Sequence, residues 1–199
     1  MNRPDPEKIK KLQAALEAYE AGEVVGAIFD SAAEEALSPV RQRAARLVAQ
    51  RSRSRYELRQ RLLGVEFAPE LVDQVLDDLE RSGVIDDAAF AHEWVRQRAA
   101  RRGKSAKALN IELERKGVVE AERLAALEQI TAADEERAAR AAAEKKARCV
   151  KVIPSDRAEY DGHLRRIVGV MQRRGYSTEL CMRVGREVLQ TRLEELARG

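Results

Sequence analysis

Apolar residues recur along this chain at successive spacings of four and five residues. The pattern occurs three times, in Leu58, Leu62 and Phe67, in Leu109, Leu113 and Val118, and in Ile167, Met171 and Tyr176. Residues four apart lie on one face of an α-helix, so the start of each triplet predicts a helix with one buried face. Self-similarity of this kind indicates a repeated structural unit.

Each triplet is followed by another apolar stripe at helical spacing. These stripes are Leu71, Val75, Leu76 and Leu79, then Leu124, Leu127 and Ile130, then Leu180, Val184 and Val188. A helix also precedes each triplet, and Leu47 to Arg51 aligns with Trp94 to Arg98. The pattern predicts three-helix repeats at residues 38–84, 85–131 and 132–199, after an N-terminal helical extension at residues 1–37.

Capping residues mark the predicted helix boundaries. Ser38-Pro39 is expected to open the first helix of the first repeat, and Ser54 with Glu57 is expected to form a capping box. Asp86 or Asp87 is expected to cap the opening helix of the second repeat, and Ser105 the helix after it. Glycines suited to helix ends are Gly83, Gly103, Gly117 and Gly175.

The third repeat is the least regular of the three. Its opening helix, from Asp134 to about Cys149, is mostly alanine and charge. We therefore expect this helix to pack lightly or to be partly exposed.

The second repeat supplies the clearest core pattern. Its predicted core residues are Phe90, Trp94, Val95, Leu109, Leu113 and Gly117. Trp94 could instead stack on a single-stranded nucleic acid, but its helical phase favours burial. Arg98 falls within the same apolar arc, and Arg51 has the same phase in the first repeat. We interpret both arginines as closing off the core or pairing with an acid such as Asp86.

Composition favours an extended helical assembly over one large core. Aromatic residues make up 4% of the chain and charged residues 36%, so the apolar stripes are thin. No convincing alternation of apolar and polar residues indicates a strand. The predicted fold is all-α, an elongated curved array of three tandem helix-turn-helix-like repeats.

Charge is strongly segregated although the net charge is only +3. Residues 41–61 hold eight arginines and one acid, residues 96–107 hold six basic residues and no acid, and residues 70–87 are strongly acidic. Such basic segments suit phosphates or an acidic protein surface. The contact candidates are Arg53, Arg55, Arg96, Arg101, Arg102, Lys104, Lys107, Arg165, Arg166, Arg173 and Arg174, each of which could instead be a solvated surface charge.

The sequence offers little for catalysis, metals or membranes. Cys149 and Cys181 are isolated, and neither His92 nor His163 lies near other candidate ligands at metal-binding spacing. No phosphate loop or nucleophile elbow is present. We expect a cytoplasmic, monomeric protein that is not an enzyme and has no cofactor.

Several linked motifs resemble the signature of the bacterial RecX regulatory proteins. The resemblance covers roughly residue 38 to the C-terminus. It is carried by Ile85-Asp86-Asp87-x-x-Phe90-Ala91-x-x-Trp94-Val95-x-x-Arg98, by Glu112-Leu113-x-x-Lys116-Gly117-Val118, by Arg51-Ser52-Arg53-Ser54 and by Arg173-Arg174-Gly175-Tyr176.

This resemblance implies a role in DNA recombination and repair. RecX-like proteins bind in the groove of the RecA filament on single-stranded DNA, can contact DNA, and usually inhibit filament growth, ATP hydrolysis and strand exchange. The chain departs from the pattern at Gly64-Val65-Glu66-Phe67, where a Lys-Gly-aromatic ending is often seen, and at residues 1–37. Two alternatives from the residues alone are a helical reader of double-stranded DNA and a helical scaffold for an acidic protein.

Overall fold

The structure, a computed structural model, describes residues 29–198, with side chains from residue 34 onwards. Within this range it is entirely helical, which confirms the all-α prediction. The predicted N-terminal helix before residue 29 lies outside the described residues. The helices are α1 (Phe29–Gln50), α2 (Arg55–Leu63), α3 (Pro69–Arg81), α4 (Asp87–Arg102), α5 (Ala106–Glu114), α6 (Glu120–Leu127), α7 (Ala132–Ala147), α8 (Arg157–Gln172) and α9 (Thr178–Arg198).

The chain divides into two compact units. Among the described residues, one unit contains residues 29–51 with Leu58–Leu79, and the other contains Ser52–Glu57 with residues 80–198. The first turn of α2 therefore belongs to the second unit, because its residues contact that unit through hydrogen bonds described below.

The first unit buries one apolar face on each of its helices. Its fully or nearly fully buried side chains are Leu37, Val40, Ala44 and Leu47 of α1, Leu58 and Leu62 of α2, and Val72, Val75 and Leu76 of α3. Two ion pairs link these helices, one between Arg41 and Asp78 at 3.1 Å and one between Arg59 and Asp73 at 2.7 Å. The ion pairs place charged groups around the apolar contacts.

The predicted helix start at Ser38-Pro39 was wrong. Helix α1 begins at Phe29 and contains Pro39 in its interior. The segment before the proline is rich in alanine and glutamate, which favour helix. Leu37 is also buried, so the apolar face begins before the proline.

The end of α2 has the geometry of the later repeats despite its different sequence. Glu66 adopts a left-handed conformation with φ +64°, and Gly117 in the second repeat has φ +73°. Each of the two residues follows a buried leucine, Leu62 or Leu113, by four positions. The first repeat therefore makes the same turn at the cost of placing a non-glycine residue in a region that side chains disfavour.

Two apolar clusters form the interior of the second unit. The cluster of the second repeat contains Phe90, Ala91, Val95, Leu109, Leu113, Val118 and Ala126. The larger cluster, in the third repeat, contains residues of α7, α8 and α9, including Leu164, Ile167, Met171, Val184 and Leu189. Helices α4 to α6 pack on one another, as do α7 to α9.

Helix α7 buries one face firmly and leaves the other face exposed, so of the two predicted alternatives light packing was wrong and partial exposure is confirmed. Ala139 and Ala143 have no exposed surface, and Ala142 and Ala147 are 4% and 2% exposed. Alanine methyl groups let helices approach closely, so a helix without large side chains can still form part of a dense core. The alanines form a buried face, although a hydrophobicity scale alone would rank that face low.

Two similar polar junctions occur in the second unit. In one, the Ser54 hydroxyl donates to the carbonyl oxygen of Lys116 at 2.6 Å, and a Cβ on Gly117 would collide with Tyr56. In the other, the Ser105 amide donates to the carbonyl oxygen of Arg174 at 3.0 Å, and a Cβ on Gly175 would lie 2.6 Å from the Ser105 hydroxyl. In each case a glycine turn packs on the serine that begins a helix.

A carboxylate completes each junction. The Arg55 amide donates to Asp87 at 2.8 Å, and the Ala106 amide donates to Glu135 at 2.7 Å. Both amides belong to the first residue of a helix, where no intrahelical partner exists. A carboxylate in the opening helix of one repeat thus accepts a hydrogen bond from the first amide of the second helix in the repeat before it.

Candidate nucleic-acid and protein interface

Trp94 lies at the edge of the second-repeat core rather than inside it. Its side chain is partly buried, and its ring centroid is 5.6 Å from that of Phe90. The guanidinium carbon of Arg98 lies 3.6 Å from the indole centroid, and Nζ of Lys116 lies 4.1 Å from it. Cations over an aromatic face are attracted by the ring quadrupole, so both side chains are held on Trp94.

Glu112 connects the residues around the indole. Its carboxylate accepts a hydrogen bond from the Trp94 indole N–H at 3.0 Å, lies 3.4 Å from the Arg98 guanidinium and pairs with Lys104. Burial tends to raise the pKa of Glu112, but the hydrogen bonds from Lys104 and Trp94 and the nearby positive charges outweigh it, so its pKa is lowered. Arg98 pairs with Glu112 and not with the predicted Asp86.

Asp86 caps a helix instead of pairing with Arg98. Its carboxylate accepts a hydrogen bond from the Ala89 amide at 2.8 Å and caps α4. Asp87, the other candidate cap, reaches Arg55 instead. Burial is the main reason that the pKa of Asp87 is raised.

Lys116 links this cluster to the start of α2. Its Nζ lies 2.7 Å from the Glu57 carboxylate, and both side chains are mostly shielded from solvent. The Glu57 amide donates to the Ser54 hydroxyl at 3.2 Å, which is one half of the predicted capping box. The charged groups around Trp94 are therefore largely committed to one another.

Three of the predicted contact residues of the second repeat are solvent-exposed around the α4–α5 turn. Arg101 and Arg102 occupy the last turn of α4, and Lys107 follows in the first turn of α5. Gly103 ends α4 with φ +54°. Cations in a last helical turn interact favourably with the helix dipole while their charged ends stay in water. We call Arg101, Arg102 and Lys107 the basic turn.

Two other predicted contacts of the second repeat are engaged internally. Lys104 pairs with Glu112 and its side chain is 27% exposed. Arg96 is well exposed but pairs with Glu93 at 2.7 Å. Hydrogen bonds from Arg96 and then Gln97 lower the pKa of Glu93 to about 2.

The first-repeat candidates are less accessible than their charge suggests. Arg53 is only 7% exposed. Arg55 pairs with Glu80 at 2.8 Å. Arg51, which was interpreted as closing off the core or pairing with an acid, is exposed.

Of the predicted contact residues in the third repeat, some lie on the surface and one lies at the junction with Ser105. Arg165, Arg166 and Arg173 are exposed, and the Arg165 guanidinium donates to the carbonyl oxygen of Asp161 at 3.3 Å. Arg174 is half-buried, with its carbonyl in the junction with Ser105. The candidates do not form one continuous site.

Comparison with known proteins identifies the family. The model for the second three-helix domain of RecX matches residues 86–127, and the model for the first matches residues 41–79. The regulatory protein RecX of Corynebacterium efficiens is 48% identical over 95% of this chain and 91% of its own length. The chain belongs to the RecX family.

Further relatives and solved structures agree with this assignment. The RecX regulatory protein of Mycobacterium avium is 39% identical over 70% of this chain and 78% of its own length. A crystal structure of RecX from Lactobacillus salivarius is 19% identical, with a TM-score of 0.66 over 77% of this chain and 97% of that one. A second RecX crystal structure, 20% identical, has the same TM-score over 82% of this chain and 76% of that one.

In this RecX-family chain a groove lies beside the basic turn. It has a volume of about 510 Å³. Apolar residues that line it include Ala99, Ile130 and Ala138, and Arg96 and Arg137 line it as well. The groove carries both charge signs, since Asp134 and Glu135 contribute to its lining.

The described part of this RecX-family chain has neither a cluster of metal-ligating side chains nor a helix suited to span a membrane. Residues 29–198 contain no group of histidine, cysteine and carboxylate side chains arranged to hold a metal ion. None of the helices in that range is both long and apolar enough to cross a membrane.

Two residues of the RecX signature contact Trp94, and the sequence analysis did not predict these contacts. Glu112 and Lys116 were read as parts of a motif and not as partners of Trp94. A spacing of four residues between Trp94 and Arg98 could have indicated their stacking. No comparable local signal connects Trp94 with Glu112, because their contact joins different helices.

Proposed function

We propose that this chain is a non-enzymatic regulator of the RecA recombinase. It binds RecA filaments on single-stranded DNA, in the filament groove or at the growing end, and inhibits ATP hydrolysis, filament extension and strand exchange. Membership of the RecX family and the solvent-exposed basic turn support this proposal. The basic turn is the single structural observation on which the proposed contact rests.

The mechanism depends on exposed charges held on a rigid support. Arg101 and Arg102 extend from a helix whose C-terminal glycine packs beside the junction with the third repeat. The Tyr176 hydroxyl donates to the Gly103 carbonyl oxygen at 2.9 Å, and burial raises the pKa of Tyr176 to about 12, so it stays a donor. The turn can therefore meet an acidic surface or phosphates without first becoming ordered.

Binding to successive filament subunits would restrain them. ATP hydrolysis and filament extension require subunits to change their relative arrangement. A ligand that prefers one arrangement shifts the population towards it and slows passage through the other. Several weak basic contacts on one chain act together because the first raises the effective concentration of the rest.

Hydrolysis of ATP by RecA on single-stranded DNA tests the function directly. We expect the rate to fall when this protein is added below the RecA concentration. An unchanged rate, with filaments formed, would contradict the inhibitory function.

A charge-removal variant tests the contact. Arg101→Gln, Arg102→Gln and Lys107→Gln together should raise the concentration needed for half-inhibition and weaken its dependence on salt. Lys104 is left intact because its charge pairs with Glu112. Arg115→Gln, Lys145→Gln and Arg186→Gln together form the control, since they remove equal charge from other exposed positions. Equal loss of inhibition in both variants would show a non-specific charge effect and contradict the assignment to the basic turn.

A further inference from the structure

The third repeat contains a concave basic surface outside the basic turn. Two adjoining hollows, of about 700 and 270 Å³, both include His163 and Arg166 in their linings. Lys151 and Arg165 also line the larger hollow, and Lys146 lines the smaller. We call these two hollows together the third-repeat basic pocket.

The pocket exists because α8 is longer than its counterpart in the second repeat. Helix α5 begins at Ala106, close before Leu109, whereas α8 begins at Arg157, well before the corresponding Ile167. His163 occupies this additional part of the helix. The extension adds a wall to the pocket where the second repeat instead has Ser105 and its junction.

The pocket remains strongly positive after its internal carboxylate is counted. Glu159 lines the larger hollow, but its carboxylate accepts hydrogen bonds from the Ser155 amide and hydroxyl at 2.8 and 3.0 Å. The lining of the pocket therefore contains four lysine and arginine side chains and one carboxylate. This count leaves out His163. Such an excess of positive charge in a concave surface favours phosphate ligands.

The larger hollow also has an apolar side. Val152 and Ile153 line it and are 75% and 49% exposed, respectively. Exposed aliphatic groups beside cations suit a ligand with both phosphates and flat apolar surfaces. A double helix keeps its bases stacked inside a wide cylinder, whereas a single strand can turn a base towards such a surface.

We propose that the third-repeat basic pocket binds the backbone of a single-stranded nucleic acid. Lys146, Lys151, Arg165 and Arg166 contact phosphates, while bases lie against Val152 and Ile153. His163, which lines both hollows, donates a hydrogen bond to the bound strand. The proposal deepens the proposed function and rests on it for its role on filaments, but its binding test contains no RecA.

The test measures binding of a fluorescent oligothymidylate to the full chain by anisotropy over a range of salt. Lys151→Gln with Arg166→Gln should raise the Kd about tenfold or more and reduce the log–log salt slope by about 1.4, from about 0.7 for each lost phosphate contact. The control, Lys145→Gln with Arg186→Gln, removes equal charge from exposed positions that line neither hollow. It should leave the Kd within about twofold.

A second variant separates base contacts from charge. Val152→Ser with Ile153→Ser should raise the Kd about threefold or more without changing the salt slope, because it removes apolar contacts only. Circular dichroism should show the same helicity in every variant. Equal weakening by the pocket and control variants, or no oligothymidylate binding by the unmodified chain, would overturn the proposal.

Two competitors test the ligand class. Duplex DNA of the same length and polyglutamate of the same charge should displace oligothymidylate less well than unlabelled oligothymidylate does. Equal displacement by either would overturn the assignment to single strands. Inhibition of RecA without oligothymidylate binding would reject only the pocket, whereas binding without inhibition would reject only the proposed function.

Discussion

The second repeat surrounds two aromatic rings with paired charges, whereas the third repeat places an alanine face at the centre of its core. Phe90 and Trp94 supply the bulk in α4, and Ala139 and Ala143 replace such bulk in α7. Large side chains separate helices and alanines bring them together, yet both repeats retain a buried second helix. The three-helix arrangement therefore tolerates different packing solutions.

The two repeats also differ in the surface beside the start of their second helices. Helix α5 is capped by a buried serine, Ser105, against which the turn containing Gly175 packs. Helix α8 continues past the corresponding position and is capped by Asp156. A junction occupies this site in the second repeat, and an exposed basic pocket lies there in the third. A longer helix has changed a packing surface into a candidate binding surface.

The largest effect should come from closing the space at a junction. Gly117→Ala should destabilise the chain by about 2–5 kcal/mol. The left-handed conformation costs about 1–2 kcal/mol for a residue with a side chain, and collision with Tyr56 adds about 1–3 kcal/mol. Urea unfolding followed by far-ultraviolet circular dichroism measures the change.

Gly83→Ala is the matched control for this substitution. Its φ of +72° equals that of Gly117 within a degree, but a Cβ there would meet no atom within 4 Å. It should show only the conformational cost, about 1–2 kcal/mol. Equal destabilisation by the two variants would mean that the junction contact contributes nothing.

An intermediate effect should follow from enlarging the alanine core. Ala143→Val should destabilise the third repeat by about 1–3 kcal/mol, because the side chain is fully buried and the added carbons have no space. Ala141→Val changes an exposed position on the same helix. It should cost only the difference in helix propensity, about 0.6 kcal/mol. If urea unfolding shows equal costs, α7 is not closely packed.

Local signals allowed much of the fold to be predicted. Ser105 and Gly103 bound their helices as expected, because a cap and a left-handed turn depend on neighbouring atoms alone. The packing of helix α7 was misjudged because hydrophobicity measures side-chain size more than closeness of packing. Pro39 misled because a proline suited to a first turn also occurs inside a helix.

The candidate site was less predictable than the fold. Helical phase identified Arg98 as close to the core, but no local spacing joined it to Glu112. Arg53 was predicted at an accessible turn, yet tertiary packing buries it. Charge along a sequence shows where basic residues concentrate, whereas ion pairs between helices decide which of them remain accessible.

The smallest effect should come from neutralising Glu112. Glu112→Gln should destabilise the chain by about 1 kcal/mol at neutral pH, because the carboxylate is partly exposed although it serves three donors. Trp94 is the single tryptophan of the chain, so its fluorescence should also change on this substitution. Glu114→Gln is the control, since it neutralises an exposed carboxylate of the same helix.

The pH dependence sharpens this last prediction. The pKa of Glu112 is lower in the folded chain than its ordinary value of 4.5, so the unfolded chain takes up the proton more readily. The stabilisation is complete above pH 4.5 and is lost as the pH falls through the lower folded-state pKa. The difference in unfolding free energy between the unmodified chain and Glu112→Gln should therefore shrink in acid. A difference that persists unchanged would show that the shape of the glutamate, rather than its charge, supports Trp94.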